Sequence, residues 1–423
     1  MLNRYIGNKK AILKPIIDHI KMNVPVGGRV CDAFSGSLAV SLELKKEGYV
    51  VSTNDINLFS HFYGRHLIEQ CEIPDLDLSL FDIFNINEYA DQAQSYIEKN
   101  LKNSESYKFL NNDINCEKFK KIVAVYLYLD NLTNSPIPET RDSYFFDTYT
   151  EEGKDSYFES QRGTSGNRKF FTPSNGLKLD LIMNQIRAWR KSGALREGVF
   201  FYTLTCSVID ALEKVSNTQG TYHDFPRVNY DSRALNELKL IPPSYEDIIS
   251  EQRNHIIGKA EDSIEFVSRL PEQDLLYLDP PYNFRQYTSY YFLPNVICEY
   301  SDIDDLSSYF SNVQFVRGQN MANDFTSTFS KKNLFIDSLK NLISNIDTSS
   351  VLMSYFDGRN HWNNTKEEND HKGKEVLLDF FNSELFQKES TELIPFERLN
   401  YQSYGGHKAK YVKEFLFSGV KAQ

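Results

Sequence analysis

Asp279–Pro280–Pro281–Tyr282 follows directly on DLLYL, an apolar run at residues 274–278 that reads as a buried strand. These residue types suit chemistry on an aromatic amine, which is a poor nucleophile because its lone pair is delocalised into the ring. The Asp279 carboxylate and the Pro280 carbonyl can each accept one N–H hydrogen bond. Together they favour a pyramidal nitrogen and stabilise the positive charge that grows on it during in-line attack on the methyl group of a sulfonium donor. Pro280 and Pro281 hold the carbonyl in a fixed direction, and Tyr282 can stack on a base that has left its duplex. No metal is needed. A plain strand-ending turn would also accept Pro-Pro, but ligands of open α/β sheets bind beyond the carboxyl ends of strands.

A second set is Asp32-Ala-Phe34-Ser-Gly36-Ser, with Asp55 closing the next β-branched run. A turn this tight lets backbone approach a ligand, and an acid about 20 residues on can bind ribose hydroxyls. Taken alone, a plain βαβ turn or a dinucleotide site would suit these residues equally well. The full G-x-G-x-x-G pattern is absent, which lowers the nicotinamide and flavin readings. The third set, Arg4-Tyr5-Ile6-Gly7-Asn8-Lys9-Lys10, would by itself pass as an exposed basic segment with a glycine turn.

The elements needed to position these residues can be read from periodicity. Residues 10–22 carry helical spacing, RVCDAF (29–34) is a strand, a helix runs from 38 to 46, and YVVSTNDIN (49–57) is a second strand. Strand, turn, helix, strand is a βαβ unit and implies parallel pairing. Residues 60–250 read as mostly helical and polar, least regular over 131–176. Residues 255–262 read as a strand entering a turn, strands follow at 274–278, 350–356 and 410–419, and helices lie near 331–345 and 373–382. The expected organisation is an α/β catalytic domain of residues 1–60 and 255–423, interrupted by a helical insert at 61–254.

Composition narrows the function. A net charge of −11 argues against nonspecific coating of nucleic acid or anionic membrane. Positive charge gathers locally instead. Residues 161–196 hold eight basic side chains against the single acid Asp180, a net of +7, which predicts either a nucleic-acid surface or a solvated helix face. Aromatics reach 14%, and most are expected to fill cores. Cys31, Cys71, Cys116, Cys206 and Cys298 lie far apart, which fits reduced thiols and neither a zinc site nor a disulfide framework. The opening residues are too polar for a signal peptide and no long apolar run occurs, so the expectation is a soluble cytoplasmic protein with no membrane partner.

Taken in order, these motifs resemble those of the DNA adenine methylase class of N6-adenine-specific DNA methyltransferases. RYIGNK is similar to the N-terminal cofactor motif of that class, which implies S-adenosylmethionine contacts for Tyr5 and Lys9. DAFSGS resembles its glycine turn, with Asp32, Phe34 and Gly36 lining the cofactor. NDIN matches the ribose acid at Asp55, KAEDSIEF makes Asp262 a contact to the cofactor's adenine, and LYLDPPY carries Asp279, Pro280, Pro281 and Tyr282, with Asp279 also beside the cofactor. VLMSYFD resembles the next core strand and YGGHKAKYVKEFLF a C-terminal hairpin. The resemblance spans about residues 1–60 and 255–420. It implies a Rossmann-like methyltransferase sheet with a mainly helical inserted target-recognition domain, duplex DNA as partner, and adenine delivered by base flipping. It leaves open a companion restriction endonuclease. Arg162, Asn167, Arg168 and Lys169, in an irregular loop of the insert, are the candidates for DNA contact.

Two departures stand out. Leu38 occupies the position of the usual second glycine of F-x-G-x-G, and the insert is longer than in compact members. Among alternatives, an N4-cytosine enzyme would more often carry Ser before Pro-Pro-Tyr, and an RNA adenine enzyme Asn. A catalytically silent DNA-recognition module would have no use for intact Asp279–Tyr282, Lys9 and Asp55.

Overall fold

Apolar runs bounded by turn residues become strands because only extended backbone presents alternate side chains to two faces. The computed structural model describes residues 4–134, 142–160, 163–196, 198–313, 317–320, 325–356, 360–362, 371–399 and 411–422. In chain order the strands are β1 (Arg29–Asp32), β2 (Val50–Thr53), β3 (Tyr157–Glu159), β4 (Ser165–Asn167), β5 (Ile256–Ile257), β6 (Gln273–Leu278), β7 (Thr348–Phe356), β8 (Glu392–Leu399) and β9 (Tyr411–Val420). Seven of them form one sheet in the order β5-β2-β1-β6-β7-β9-β8. The pairs from β5 through β7 are parallel, whereas β9 runs antiparallel to both β7 and β8. The fold is therefore α/β with a mixed, mainly parallel sheet.

The described chain divides into two compact units, one of Gly7–Gly64, Gln252–Tyr287 and Phe325–Gln423 and one of Met1–Ile6, Arg65–Glu251 and Thr288–Asp324. The first holds the seven-stranded sheet. Its core packs Cys31, Leu276, Leu278, Val351, Met353 and Phe417 of the sheet against Phe335, Leu339, Phe380 and Phe381 of the helices Phe335–Ser344 and Lys372–Phe381. Burial of each such side chain contributes about 1.5–3 kcal/mol.

The second unit is mainly helical. Its longer helices are Ile86–Asn100, Asp113–Asp130, Pro173–Ser192 and Val199–Val215, and β3 and β4 form a small antiparallel ladder. Asn112 and Thr172 cap two of these helices, their side chains accepting from the Asn115 and Asn175 amides, and Pro173 stands in the first turn where its missing N–H costs nothing. Residues 288–324, expected in the catalytic domain, belong to this helical unit. Phe292 packs on Phe170, and Tyr300 lies 5.1 Å from Phe145 between ring centroids. That packing comes from aromatic residues far apart in sequence.

Residues 255–262, expected as a strand entering a turn, form the short strand Ile256–Ile257, after which Gly258 donates its amide to the Thr53 carbonyl and Ala260 turns the chain at φ 59°. No strand is expected at 392–399 from the sequence, yet β8 forms there. It lies at the sheet edge, where the missing donor of Pro395 is tolerated. Of the expected C-terminal hairpin, residues 404–410 lie outside the described residues.

Candidate active site

Parallel register carries three loops to one edge of the sheet. Asp32 ends β1 opposite Thr53 of β2 and Tyr277 of β6, so Asp32, Asp55 and Asp279 all emerge at carboxyl ends of neighbouring strands. The chain runs from β1 outward to β2, whereas β6 and β7 lie on the other side of β1. Asp32 and Asp279 thus flank the point at which the strand order reverses, where ligands of such sheets bind.

Lys9 meets this edge from the turn Lys9–Ile12, which Asn8 caps by accepting from the Lys10 amide. Its Nζ lies 3.0 Å from Oδ1 of Asp279, 3.9 Å from Oε2 of Glu414 on β9, and 6.0 Å from the Tyr282 ring centroid. The Ser354 hydroxyl of β7 donates to the same Oδ1 at 3.2 Å and accepts from the Tyr277 hydroxyl at 3.0 Å. Burial disfavours the Lys9 ammonium, but the facing Asp279, Tyr282 and Glu414 outweigh it and hold its pKa well above the ordinary value. Burial likewise pushes the Asp279 carboxyl up, while Lys9 and Ser354 draw it back. Pro280 is buried. Tyr282 is half-buried, its ring edge-on to Tyr355 and its carbonyl accepting the His361 amide at 2.9 Å.

The glycine turn is held by side chains from the next loop. Gly36 adopts φ 49° and donates its amide to Oδ2 of Asp55 at 3.0 Å, while its carbonyl accepts from Ser60. Asp55 also accepts from the backbone and side chain of Asn57. Burial raises the Asp55 pKa against these hydrogen bonds. Asp32 is fully buried. The Ser41 hydroxyl donates to it at 2.6 Å, yet burial, with Asp279 and Asp55 nearby, pushes its carboxyl up to about 7. Phe34 packs edge-on against Phe329. Asp262 is half-buried and caps the short helix Ser263–Val267 by accepting from the Ile264 amide.

Three carboxylates at one sheet edge, with Asp55 and Asp279 close enough to Asp32 to raise its pKa, make a donor set suited to a cationic ligand. S-adenosylmethionine carries a sulfonium, an ammonium and ribose hydroxyls, and this acid-lined edge fits such a group. Among the described residues no cluster of His, Cys, Asp and Glu could hold a metal ion.

A family model described as D12 class N6 adenine-specific DNA methyltransferase matches residues 5–298. The chain belongs to this class. It is similar to Modification methylase StsI of Streptococcus sanguinis, 27% identical over 417 residues that cover 98% of this chain and 51% of that protein. It is similar to Modification methylase LlaI of Lactococcus lactis subsp. lactis, 26% identical over 354 residues, 83% of this chain and 46% of that protein. Type II methyltransferase M.FokI of Planomicrobium okeanokoites is 27% identical over 300 residues, 70% of this chain and 37% of its own length. The chain spans about half the length of the first two of these relatives.

This D12 chain carries Leu38 at φ 61°, the left-handed region that favours glycine. The side chain is fully buried. Ser354, Glu414 and Asn54 escaped the sequence reading. Asn54 donates to the Glu261 carbonyl at 2.9 Å and so ties β2 to the loop that carries Asp262. The signal was one polar residue within an apolar strand, as in VLMSYF and KEFLF.

In the helical unit of this D12 member the basic window needs correction. Arg168 is 1% exposed, and its guanidinium donates to the carbonyls of Asp155 and Val313. It holds loops together and has no surface from which to reach a base. Lys178 is buried between Asp130 and Glu237, Arg187 donates to the carbonyls of Tyr300 and Asp304, and Arg190 pairs with Asp302. Much of the local +7 is thus met by partners distant in sequence. Lys169 pairs with Glu151 at 2.7 Å, and the exposed Asn167 donates its amide to the Glu151 carbonyl. Arg162 lies outside the described residues. Tyr5 stacks on Tyr291 at 4.7 Å within the same unit. The cysteines are free, and all but Cys116 are buried. No helix among the described residues is long and apolar enough to cross a membrane.

Proposed function

We propose that this chain transfers a methyl group to the exocyclic N6 amine of adenine in duplex DNA. The observation that carries the reading is Asp279–Pro280–Pro281–Tyr282 at the carboxyl end of β6, with the Lys9 ammonium 3.0 Å from Asp279. S-adenosylmethionine, when bound, supplies an electrophilic methyl group. Asp32, Phe34, Gly36, Asp55 and Asp262 would hold it, with Lys9 from the N-terminal motif.

The Lys9 and Ser354 contacts fall on Oδ1 of Asp279, so Oδ2 is the oxygen that accepts one amine N–H. The Pro280 carbonyl accepts the other. Both acceptors stabilise the charge that develops on the nitrogen, and Tyr282 offers its ring to the flipped base at a cost of a few kcal/mol in unstacking. Lys9 keeps Asp279 oriented and compensates its charge. The helical unit serves as the target-recognition region, with Asn167, Lys169 and Arg162 of its loop as candidate DNA contacts. A restriction endonuclease recognising the same site is the partner this activity would protect against.

The test is purified protein, tritiated S-adenosylmethionine and mixed-sequence duplex DNA, followed by nucleoside analysis. Label in N6-methyladenine is expected. Label in N4-methylcytosine would move the target base, and no label despite cofactor binding would refute DNA methylation by this chain.

A further inference from the structure

Glu414 is 1% exposed on β9, an interior strand between β7 and β8, with Phe356 and Phe396 as its register partners. Its neighbours Phe415, Leu416 and Phe417 are buried apolar side chains. Removing a carboxylate from water in such surroundings costs several kcal/mol unless a cation meets it. Among the described residues a cation near it is Lys9, 3.9 Å away, whose own closer partner is Asp279 at 3.0 Å. Lys9 therefore stands between two carboxylates, one of which carries the proposed chemistry while the other has no part in it.

We propose that Glu414 is a positioning residue for methyl transfer: it fixes the Lys9 ammonium against Asp279 and so sets the direction and charge of the carboxylate that receives the amine. The inference rests on the reading of Asp279 given above. Lys9 sits on a short turn, and without Glu414 its ammonium keeps Asp279 as its one carboxylate partner among the described residues. A lone Lys9–Asp279 pair would let the ammonium swing with the carboxylate and blur the acceptor geometry. Glu414 acts at one remove, through Lys9, and touches no reacting atom. Among the described residues, the charged and titratable groups facing Asp279 are Lys9 from the capped turn, Asp32 from the end of β1, Tyr277 on β6, Tyr282 and Tyr287 on the following loop, and Glu414 on β9. Among them Glu414 raises the Asp279 pKa, so its removal makes Asp279 ionise at lower pH.

The experiment compares wild type with the isosteric Glu414→Gln and the charge-preserving Glu414→Asp in the full chain. Single-turnover methylation of duplex DNA is measured beside the titration of carboxyl-¹³C aspartate, with the Asp279 signal assigned by its absence in Asp279→Asn. For Glu414→Gln the expected results are a lower Asp279 midpoint and methyl transfer slowed on the order of tenfold to a hundredfold. Cofactor affinity is expected to stay unchanged, and Glu414→Asp to restore the midpoint and part of the rate. An unmoved midpoint overturns the proposal, as does a shifted midpoint with an unchanged rate. If Glu414→Gln does not fold, equal single-turnover rates for wild type and Glu414→Asp overturn it. Wild type that binds cofactor but leaves adenine unmethylated refutes the reading of Asp279 itself, and the positioning role falls with it even where the midpoint moves.

Discussion

Gly258 lies so close to Asn54 that a Cβ at residue 258 would stand 2.1 Å from Oδ1 of Asn54. Asn54 in turn holds the Glu261 carbonyl at 2.9 Å, so this contact sets the course of the loop that presents Asp262. Gly258→Ala is expected to displace Asn54, destabilise the protein by about 1–3 kcal/mol and weaken S-adenosylmethionine binding. Calorimetric titration with the cofactor, beside thermal unfolding, checks both. Affinity equal to wild type would remove Asp262 from the cofactor site.

Asp279→Ala removes the acceptor for the amine. Methyl transfer should fall by on the order of a hundredfold to a thousandfold or more, with the far-ultraviolet dichroism of wild type. Normal turnover in this variant would rule out the amine-acceptor mechanism.

Lys9→Met leaves the buried Glu414 and the half-buried Asp279 without the ammonium between them. Breaking a buried pair in this way costs about 3–5 kcal/mol. Urea denaturation should record that loss, and the double variant Lys9→Met with Glu414→Gln should regain part of it. No recovery in the double variant would mean that the two charges are not coupled.

Asp32 gives stability a pH dependence whose sign follows from its environment. Its folded pKa of about 7 exceeds the ordinary carboxylate value of 3.8. Between these values the folded protein holds a proton that the unfolded chain has lost, so this group's contribution declines as pH rises from about 4 to about 7. Asp32→Asn lacks that decline. Its stability relative to wild type should therefore increase between pH 5 and pH 8 by on the order of a few kcal/mol. An equal difference at both pH values would show that Asp32 titrates as an ordinary carboxyl.

Leu38→Gly relieves the left-handed backbone, worth about 1–2 kcal/mol, but removes a fully buried side chain whose loss costs about 2–5 kcal/mol. The net expectation is destabilisation, read as a lower melting temperature. A gain in stability would mean that backbone strain outweighs packing at this turn.

Motifs and strands were legible in the sequence because their signals are local. DLLYL before Asp279, the Asp32–Ser37 turn and the β-branched run before Asp55 each carry their own period and punctuation, and parallel order follows from the helix between strands. The strand at residues 392–399 was not legible because Pro395 masks it, and only the edge position in the sheet makes that proline harmless. The close approach of Gly258, just after Ile256–Ile257, to Asn54 roughly two hundred residues away was likewise not legible.

By itself, the sequence determined which residues could do chemistry and the class of sheet that carries them, since residue type and spacing are properties of the chain alone. Tertiary structure decided how each charge is used. Arg168 looked like a DNA contact until its guanidinium proved to be buried on the Asp155 and Val313 carbonyls, and Glu414 looked like an ordinary strand residue until Lys9 met it at 3.9 Å. A charged group's role depends on its solvation and on which opposite charge stands within a few ångströms. Both are set by contacts between residues far apart in sequence, which no local pattern encodes.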